Sequence, residues 1–448
     1  MTRSTLTRRL LTAALGAAAA VAVATPATAA PPVAGPSAPA PNPAAAKPGQ
    51  PAAAPVSARD AALIKQQDTL LPAARNLAGQ ARAAGSDISG VRIDVPAGVI
   101  HVYRTDPAQP LRLPAGALPA GTQVVVHQAK FSRSAMLQAA DLVTRDARVL
   151  GEQKVSVQAV GPSVDGSGIS VGIFLRDTRA DVDLNRASTL LRSRYGAVVG
   201  QVTGVRRQTS DRDLFFAGWR FNDFAPWYGG DRISSSVGGC TTGFAANYNG
   251  GPAMLTASHC GGVGTAFYNG PRSNGTFSYM GSSVYSDSGT DVGAISVSSY
   301  SLYINVGPAE NSGLLYVPAW GSPVVGQYLC QSGSYTGEVC GLYVVDTGQQ
   351  VCVSWFLWWC TGWQGPLADV INSAGSGSYA AGHGDSGGPV YLRNGSSGTA
   401  MGLVHGQLTP NAQAAYPAYF PDTMWCPAPE GWSQRCSSGF SFAHMPGY

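Results

Sequence analysis

All eight cysteines of this 448-residue chain fall between Cys240 and Cys436, and the residues before them contain none. An even set confined to one stretch predicts a disulfide framework for that part alone, formed in an oxidising compartment. The chain therefore divides into regions that stabilise themselves differently, and its length allows two or three cores. Zinc is the competing use of cysteine. No Cys-x-x-Cys and no histidine pair at ligand spacing occurs, so neither a metal nor a cofactor is expected.

Charge changes across the same divide. From Trp227 onward four arginines and no lysine stand against ten acidic residues, a balance of −6, so the chain's +4 leaves +10 for the residues before it. Opposite signs on two parts of one chain favour docking of one on the other. A nucleic-acid footprint would need a basic stripe interleaved with aromatics, and there is none.

Residues 1–29 read as an export signal: Arg3, Arg8 and Arg9, an apolar run, then Ala27-Thr28-Ala29 as a small-residue cleavage site. No stop-transfer pattern follows, so a secreted product without a membrane anchor is expected. Arg8-Arg9 fits either a twin-arginine signal or a plain charged start. Residues 30–56 are a Pro/Ala-rich linker that cannot build a core. Residues 57–226 read as α+β. Helices are expected over Ala58–Ala84, Ala135–Leu150 and Leu184–Tyr195. Strands are expected at Val91–Val95, Val99–Tyr103, Gln123–Val126, Val155–Val160, Ile169–Phe174 and Val198–Val205. The region has no phosphate loop and no acid–base cluster, and its His101 and His127 read as satisfied strand residues.

Beyond Trp227 the chain is rich in Gly, Ser, Thr and Tyr with short alternating runs, an all-β pattern. Its most informative stretch is Gly382-His383-Gly384-Asp385-Ser386-Gly387-Gly388-Pro389. Four glycines in seven residues describe a tight turn that something approaches closely. A serine there becomes a nucleophile only with a base, and the base needs an orienting group. Thr256-Ala257-Ser258-His259-Cys260 offers the base and Thr290-Asp291-Val292-Gly293 the acid. Each alone reads as an ordinary turn. Together, in the order His, Asp, Ser, they match one of the orders in which such triads occur.

These two motifs, GDSGGP and TASHC, resemble those of chymotrypsin-like serine proteases, specifically the secreted bacterial streptogrisin-like branch. Gly229–Phe244 resembles the start of the mature enzymes, which puts the junction near Trp227. The resemblance implies an all-β domain at 227–448 made of two antiparallel six-stranded β-barrels, from about 227–315 and 320–448. A smaller α+β prosegment at 57–226 would precede it, with the site between the barrels. Ser386 would be the nucleophile, His259 the base and Asp291 its orienting acid. Asp287, in a Ser/Gly turn, reads as a turn residue. The amides of Gly384 and Ser386 would form the oxyanion hole.

The primary pocket would have Ala380 at its base and His405 and Gly406 on the facing segment. Ala380 favours an apolar substrate side chain; His405 would favour an acidic one, or packs behind the triad. His383 and His444 are expected on surface loops. The family pairs the aspartate at position 385 with an arginine where this chain has Gln331, so Asp385 must find backbone donors or another arginine. Locality and the family pattern give the bridges Cys240–Cys260 and Cys330–Cys340. The pairing of the other four stays open; Cys352–Cys360 and Cys426–Cys436, each closing an inserted loop, are the expected choice. The first of those loops carries Trp355, Phe356, Trp358 and Trp359, a substrate-binding patch or one face of a core.

The expected function is a secreted, monomeric serine endopeptidase acting on polypeptides. Its own prosegment would serve as intramolecular chaperone and inhibitor, since non-local β pairing folds slowly. A retained binding module is the alternative for that segment. A catalytically silent binding protein on the same fold is the alternative for the whole.

Overall fold

A computed structural model describes residues 56–114, 118, 121–174, 180–205, 219–270, 276–310, 312–357, 359–419, 424–427 and 433–444. The expected signal and nearly all of the linker lie outside these residues.

The N-terminal region follows its hydrophobic periodicity. Helix α1 (Ala58–Ala81) starts at Ser57, whose hydroxyl accepts the Asp60 amide, and it buries Leu70, Leu71, Ala74 and Leu77 along one face. Strands β1 (Ile88–Asp94), β2 (Val99–Arg104) and β3 (Gln123–Gln128) form a sheet. His101 and His127 stack across it with ring nitrogens 2.9 Å apart, as satisfied strand residues should. The single helix expected over 135–150 is two, α2 (Arg133–Arg145) and α3 (Ala147–Glu152). They break at Asp146, whose carboxylate accepts from Arg194 and Tyr195 instead. Strands β4 (Val157–Pro162) and β5 (Ile169–Phe174) pair antiparallel. Helix α4 (Ala180–Tyr195) then carries the chain to β6 (Val199–Val205), parallel to β5.

The C-terminal region packs around residues that precede the expected junction. Arg220 and Phe221, in a short turn of helix at Trp219–Phe221, are both fully buried within it. Strands β7 (Trp227–Gly229), β8 (Arg232–Ser234), β9 (Gly239–Thr241), β10 (Ala245–Tyr248), β11 (Gly251–Ala257), β12 (Ala266–Asn269), β13 (Ser278–Asp287) and β14 (Val292–Val297) follow. All but β7 form one seven-stranded sheet in the order β10-β11-β14-β13-β12-β8-β9. Next come β15 (Tyr300–Val306), β16 (Gly313–Trp320), β17 (Tyr328–Gly333), β18 (Gly337–Phe356) and β19 (Trp359–Asn372). The last elements are β20 (Ala381–Gly382), β21 (Pro389–Asn394), β22 (Ser397–Gln407), α5 (Pro410–Ala415), β23 (Met424–Pro427), β24 (Ser433–Ser437) and β25 (Gly439–Ala443).

Six of these strands close on themselves. β17 pairs with β18, β18 with β19, β19 with β25, β25 with β22, β22 with β21, and β21 again with β17, all antiparallel. The other sheet departs from the expected six-stranded ring. It has seven strands with β9 and β10 at its ends, because β16 takes β22 as a parallel partner and draws β15 and β7 away. All four expected disulfides are present: Cys240–Cys260, Cys330–Cys340, Cys352–Cys360 and Cys426–Cys436.

The two regions share a core. Leu70, Leu77, Ile93 and Ile100 lie in one buried cluster with Leu342, Val370, Val390 and Phe442. The Gln67 side chain imitates a strand, donating to Tyr328 O and accepting from Tyr328 N, both at 2.7 Å. β4 adds to β18 through Val160↔Gln350 and Ala159↔Val351. Trp355 meets Phe174, and Trp363 packs on the N-terminal core, whereas Phe356 stays 56% and Leu357 61% exposed. The ion pairs found among the described residues each stay within one region, while Arg133 and Asp346 attract one another across the boundary, so charge joins apolar burial and hydrogen bonds there. No helix among the described residues is long and apolar enough to cross a membrane.

Candidate active site

The register of β11 against β14 builds the first half of the site. Ala257 faces Val292, so the turn that follows β11, Ser258–Cys260, meets the residue that precedes β14, Asp291. Asp291 is fully buried and accepts four donors. Ser258 Oγ (2.9 Å) and His259 N (3.0 Å) reach Oδ1; His259 Nδ1 (2.8 Å) and His405 Nδ1 (2.6 Å) reach Oδ2. Its backbone is left-handed, φ +58°, a conformation that costs a non-glycine residue on the order of 1 kcal/mol. Asp287 caps its own turn through Gly289 N and Thr290 Oγ1, as expected.

Electrostatics divides Asp291 and His259 sharply. Burial pushes the Asp291 carboxyl up, but hydrogen bonds and charge from His259 and His405 hold it far below the usual carboxylate range. Burial pulls the His259 imidazole down, and the bond to Asp291 with its charge outweighs that, leaving it above its ordinary 6.5. The pair is therefore an ionised carboxylate fixing an imidazole by Nδ1. The imidazole side chain remains 39% exposed.

The nucleophile turn arrives from the closed ring. Gly387 N donates to Val404 O and Val404 N to Gly388 O, which sets the turn beside His405. Thr241 N donates to Ser386 O at 2.8 Å, and Cys260 Sγ lies 3.8 Å from that oxygen. The Cys240–Cys260 bridge thus ties the His259 turn to the strand that holds Ser386. Gly384 has φ +88°, and a Cβ there would lie 2.1 Å from the Tyr335 ring, so only glycine fits. Among the described residues no protein acceptor takes the amide of Gly384 or Ser386.

Asp385 resolves the question raised by Gln331 through neutral donors. Its carboxylate accepts Tyr335 N (3.0 Å), Thr336 N (3.2 Å), Thr336 Oγ1 (2.6 Å) and Gly382 N (2.8 Å). Burial raises its pKa, opposed by the Thr336 hydroxyl and those amides. Gln331, also fully buried, donates to Thr336 Oγ1 (2.9 Å) and Ala380 O (3.0 Å) and accepts from Gly333 N (2.6 Å). It holds the hydroxyl that holds the aspartate.

A cavity of about 100 Å³ opens beside Ser386, with Ala381, Val404 and Phe440 as apolar walls and His383, Gln407 and Ser437 as polar ones. Gly406 is among its lining residues. Ala380 is fully buried, with its carbonyl taken by Gln331. His405 lies behind the triad instead of in the cavity, because Asp291 captures its Nδ1. His444, expected on the surface, is 8% exposed with neither ring nitrogen hydrogen-bonded, and burial pushes its pKa down to about 3. Sequence reasoning missed the roles of Ser258, Tyr335 and Thr336. It missed His383 at the cavity too, although that residue stands three positions before Ser386.

Three groups of close metal-ligand types occur among the described residues. Two of them rely on cysteines already in disulfides. The third, His259, Asp291 and His405, spends its facing atoms on mutual hydrogen bonds.

No family model and no curated protein matches the chain. Solved structures do. The chain is similar to protease A of Thermobifida fusca, at 21% identity over 49% of this chain and 91% of that one, with a TM-score of 0.33. It is similar to a Nocardiopsis protease at 22% identity, 49% and 92% coverage and a TM-score of 0.33. A chymotrypsin of Cellulomonas bogoriensis matches at 21% identity, 49% and 91% coverage and a TM-score of 0.32. Each of these matches covers about half of this chain and nine-tenths of the other.

Proposed function

We propose that this chain is a secreted serine endopeptidase of the chymotrypsin type, made as a proenzyme. The observation that carries the reading is the buried Asp291 carboxylate bound to His259 Nδ1 at 2.8 Å, beside the turn that presents Ser386. His259 takes the Ser386 proton as the hydroxyl attacks the scissile carbonyl, then returns it to the departing amine; water repeats the sequence on the acyl-enzyme. Asp291 holds the imidazole in the tautomer that leaves Nε2 free to accept. The amides of Gly384 and Ser386 stabilise the tetrahedral oxyanion, each donor being worth about 3 kcal/mol. The cavity takes an apolar side chain of modest size against Val404 and Phe440.

The α+β region acts as the prosegment, templating the closed ring through α1 and β4 and leaving after cleavage. The test is intact mass of the secreted protein after exposure to a fluorophosphonate, with Ser386→Ala as control. One adduct mapped to Ser386, on a species lacking the α+β region, is the expected result. An unlabelled wild-type chain would overturn the reading.

A further inference from the structure

Arg220 lies outside every motif of the sequence and is the largest fully buried side chain among the described residues. Among the described residues its guanidinium pairs with no carboxylate. Nη1 donates to the carbonyls of Gly230 (3.2 Å), Ser332 (3.4 Å) and Gly333 (3.2 Å); Nη2 donates to Gly307 O (3.1 Å) and Ser332 Oγ (2.9 Å). Removing a cation from water to bind only neutral acceptors is costly, so the site must gain from having those groups fixed.

What they fix is the far side of the Asp385 turn. Gly333 is so close to that aspartate that a Cβ on it would lie 2.0 Å from the carboxylate. Two residues on, Tyr335 N and Thr336 N donate to the same carboxylate. Phe221, next to Arg220, shares a buried cluster with Tyr335, whose ring lies against Gly384. Arg232 stacks over Tyr335 at 3.9 Å and over Phe221 at 5.6 Å. Asn269 clamps the segment itself, donating to Arg220 O and accepting from Asp223 N, both at 2.8 Å.

We infer that Arg220 is a positioning residue for the nucleophile turn: by pinning the Ser332 and Gly333 carbonyls it aims the 335–336 amides at Asp385 and so holds the oxyanion donors in place. The chain thereby supplies, from a segment ahead of the expected junction, the cation that Gln331 does not. Active enzyme must then retain Arg220 and Phe221. Burial lowers the guanidinium pKa to about 10 against the attraction of Tyr391, Glu338, Asp231 and Asp385, so it is charged at neutral pH.

This inference rests on the protease reading, and its test separates the two. The full chain is expressed as wild type, Arg220→Lys and Arg220→Met. Active serines are counted with a fluorophosphonate, and a peptide anilide gives kcat per labelled serine and KM. Amide exchange is followed at Tyr335, Thr336 and Gly382. Arg220→Lys should lose about tenfold in kcat with KM within twofold, Arg220→Met more. Exchange at the three amides should accelerate in the same order while the rest of the ring is unchanged. Methylguanidinium should restore part of the rate to an Arg220→Ala chain.

A kcat per labelled serine equal to wild type, or exchange that rises evenly over the ring, would show a merely structural arginine and overturn the inference. Should wild type fail to label, the protease reading falls, and the exchange pattern still decides what Arg220 does. Should Arg220→Met not fold, the lysine variant carries the measurement.

Discussion

Two aspartates, one on each side of the site, accept from the same number of donors and behave in opposite ways. Asp291 and Asp385 are both fully buried, and each takes four donors. Yet Asp291 is held far below the ordinary carboxylate range and Asp385 is raised above it. The difference lies in what the donors are. Two of those on Asp291 belong to imidazoles that can carry charge, whereas those on Asp385 are three amides and a hydroxyl. Neutral donors can offset part of the desolvation of a buried carboxylate; charged partners reverse it. One aspartate serves electrostatics and the other serves shape.

Substituting each by asparagine tests that contrast with the largest effects. Asp291→Asn should lower kcat by about 10⁴-fold while thermal stability changes little, since the amide keeps the shape but fixes the wrong tautomer of His259. Asp385→Asn should instead reduce stability, because its NH₂ group turns toward Gly382 N or Thr336 Oγ1, leaving buried donors unmatched at about 1–3 kcal/mol each. Thermal melts beside kcat per labelled serine would separate them. A loss of rate without loss of stability at Asp385 would mean that it too acts through charge.

A smaller effect comes from Thr336→Val, which removes one donor to Asp385 and also the acceptor of Gln331 Nε2. The expected loss is about 1–3 kcal/mol of stability, the cost of one unsatisfied buried group. Val390 and Leu392 in the ring supply a control, because shortening either should cost stability without speeding amide exchange at Gly382.

The histidine side of this comparison was legible in the sequence and the shape side was not. TASHC and the strand after Asp291 place the dyad because both flank paired strands, so local motif and register agree. The disulfides were legible for the same reason: three of the four join consecutive strands that pair with each other. Asp385 was legible only as a question, since its partners at 335–336 lie about fifty positions away and are mostly backbone amides, which no residue type announces. Arg220 was invisible for a related reason. It binds carbonyls, and every residue has one. His405 was left between two roles because sequence places its backbone on β22 but does not tell which way a ring turns.

The smallest expected effect concerns that ring. His259 has its pKa raised above 6.5, and a general base works only when neutral, so kcat/KM should fall as pH drops through a value above 6.5. Stability runs the other way. The protonated pair with Asp291 contributes stability that is fully present below the unfolded value of 6.5 and is lost as pH rises through the folded value. Activity should therefore appear over the range in which this contribution to stability disappears. His405 moderates it by donating to Asp291 Oδ2 at 2.6 Å, which drains negative charge from the oxygen that also faces His259. In His405→Ala that charge returns to His259, raising its pKa further and moving the acid limb of kcat/KM to higher pH. A pH series of kcat/KM on both chains reads the shift. Movement of the limb to lower pH in His405→Ala would mean that Asp291 orients less strongly without its second imidazole, so that the two histidines support one another instead of competing for one carboxylate.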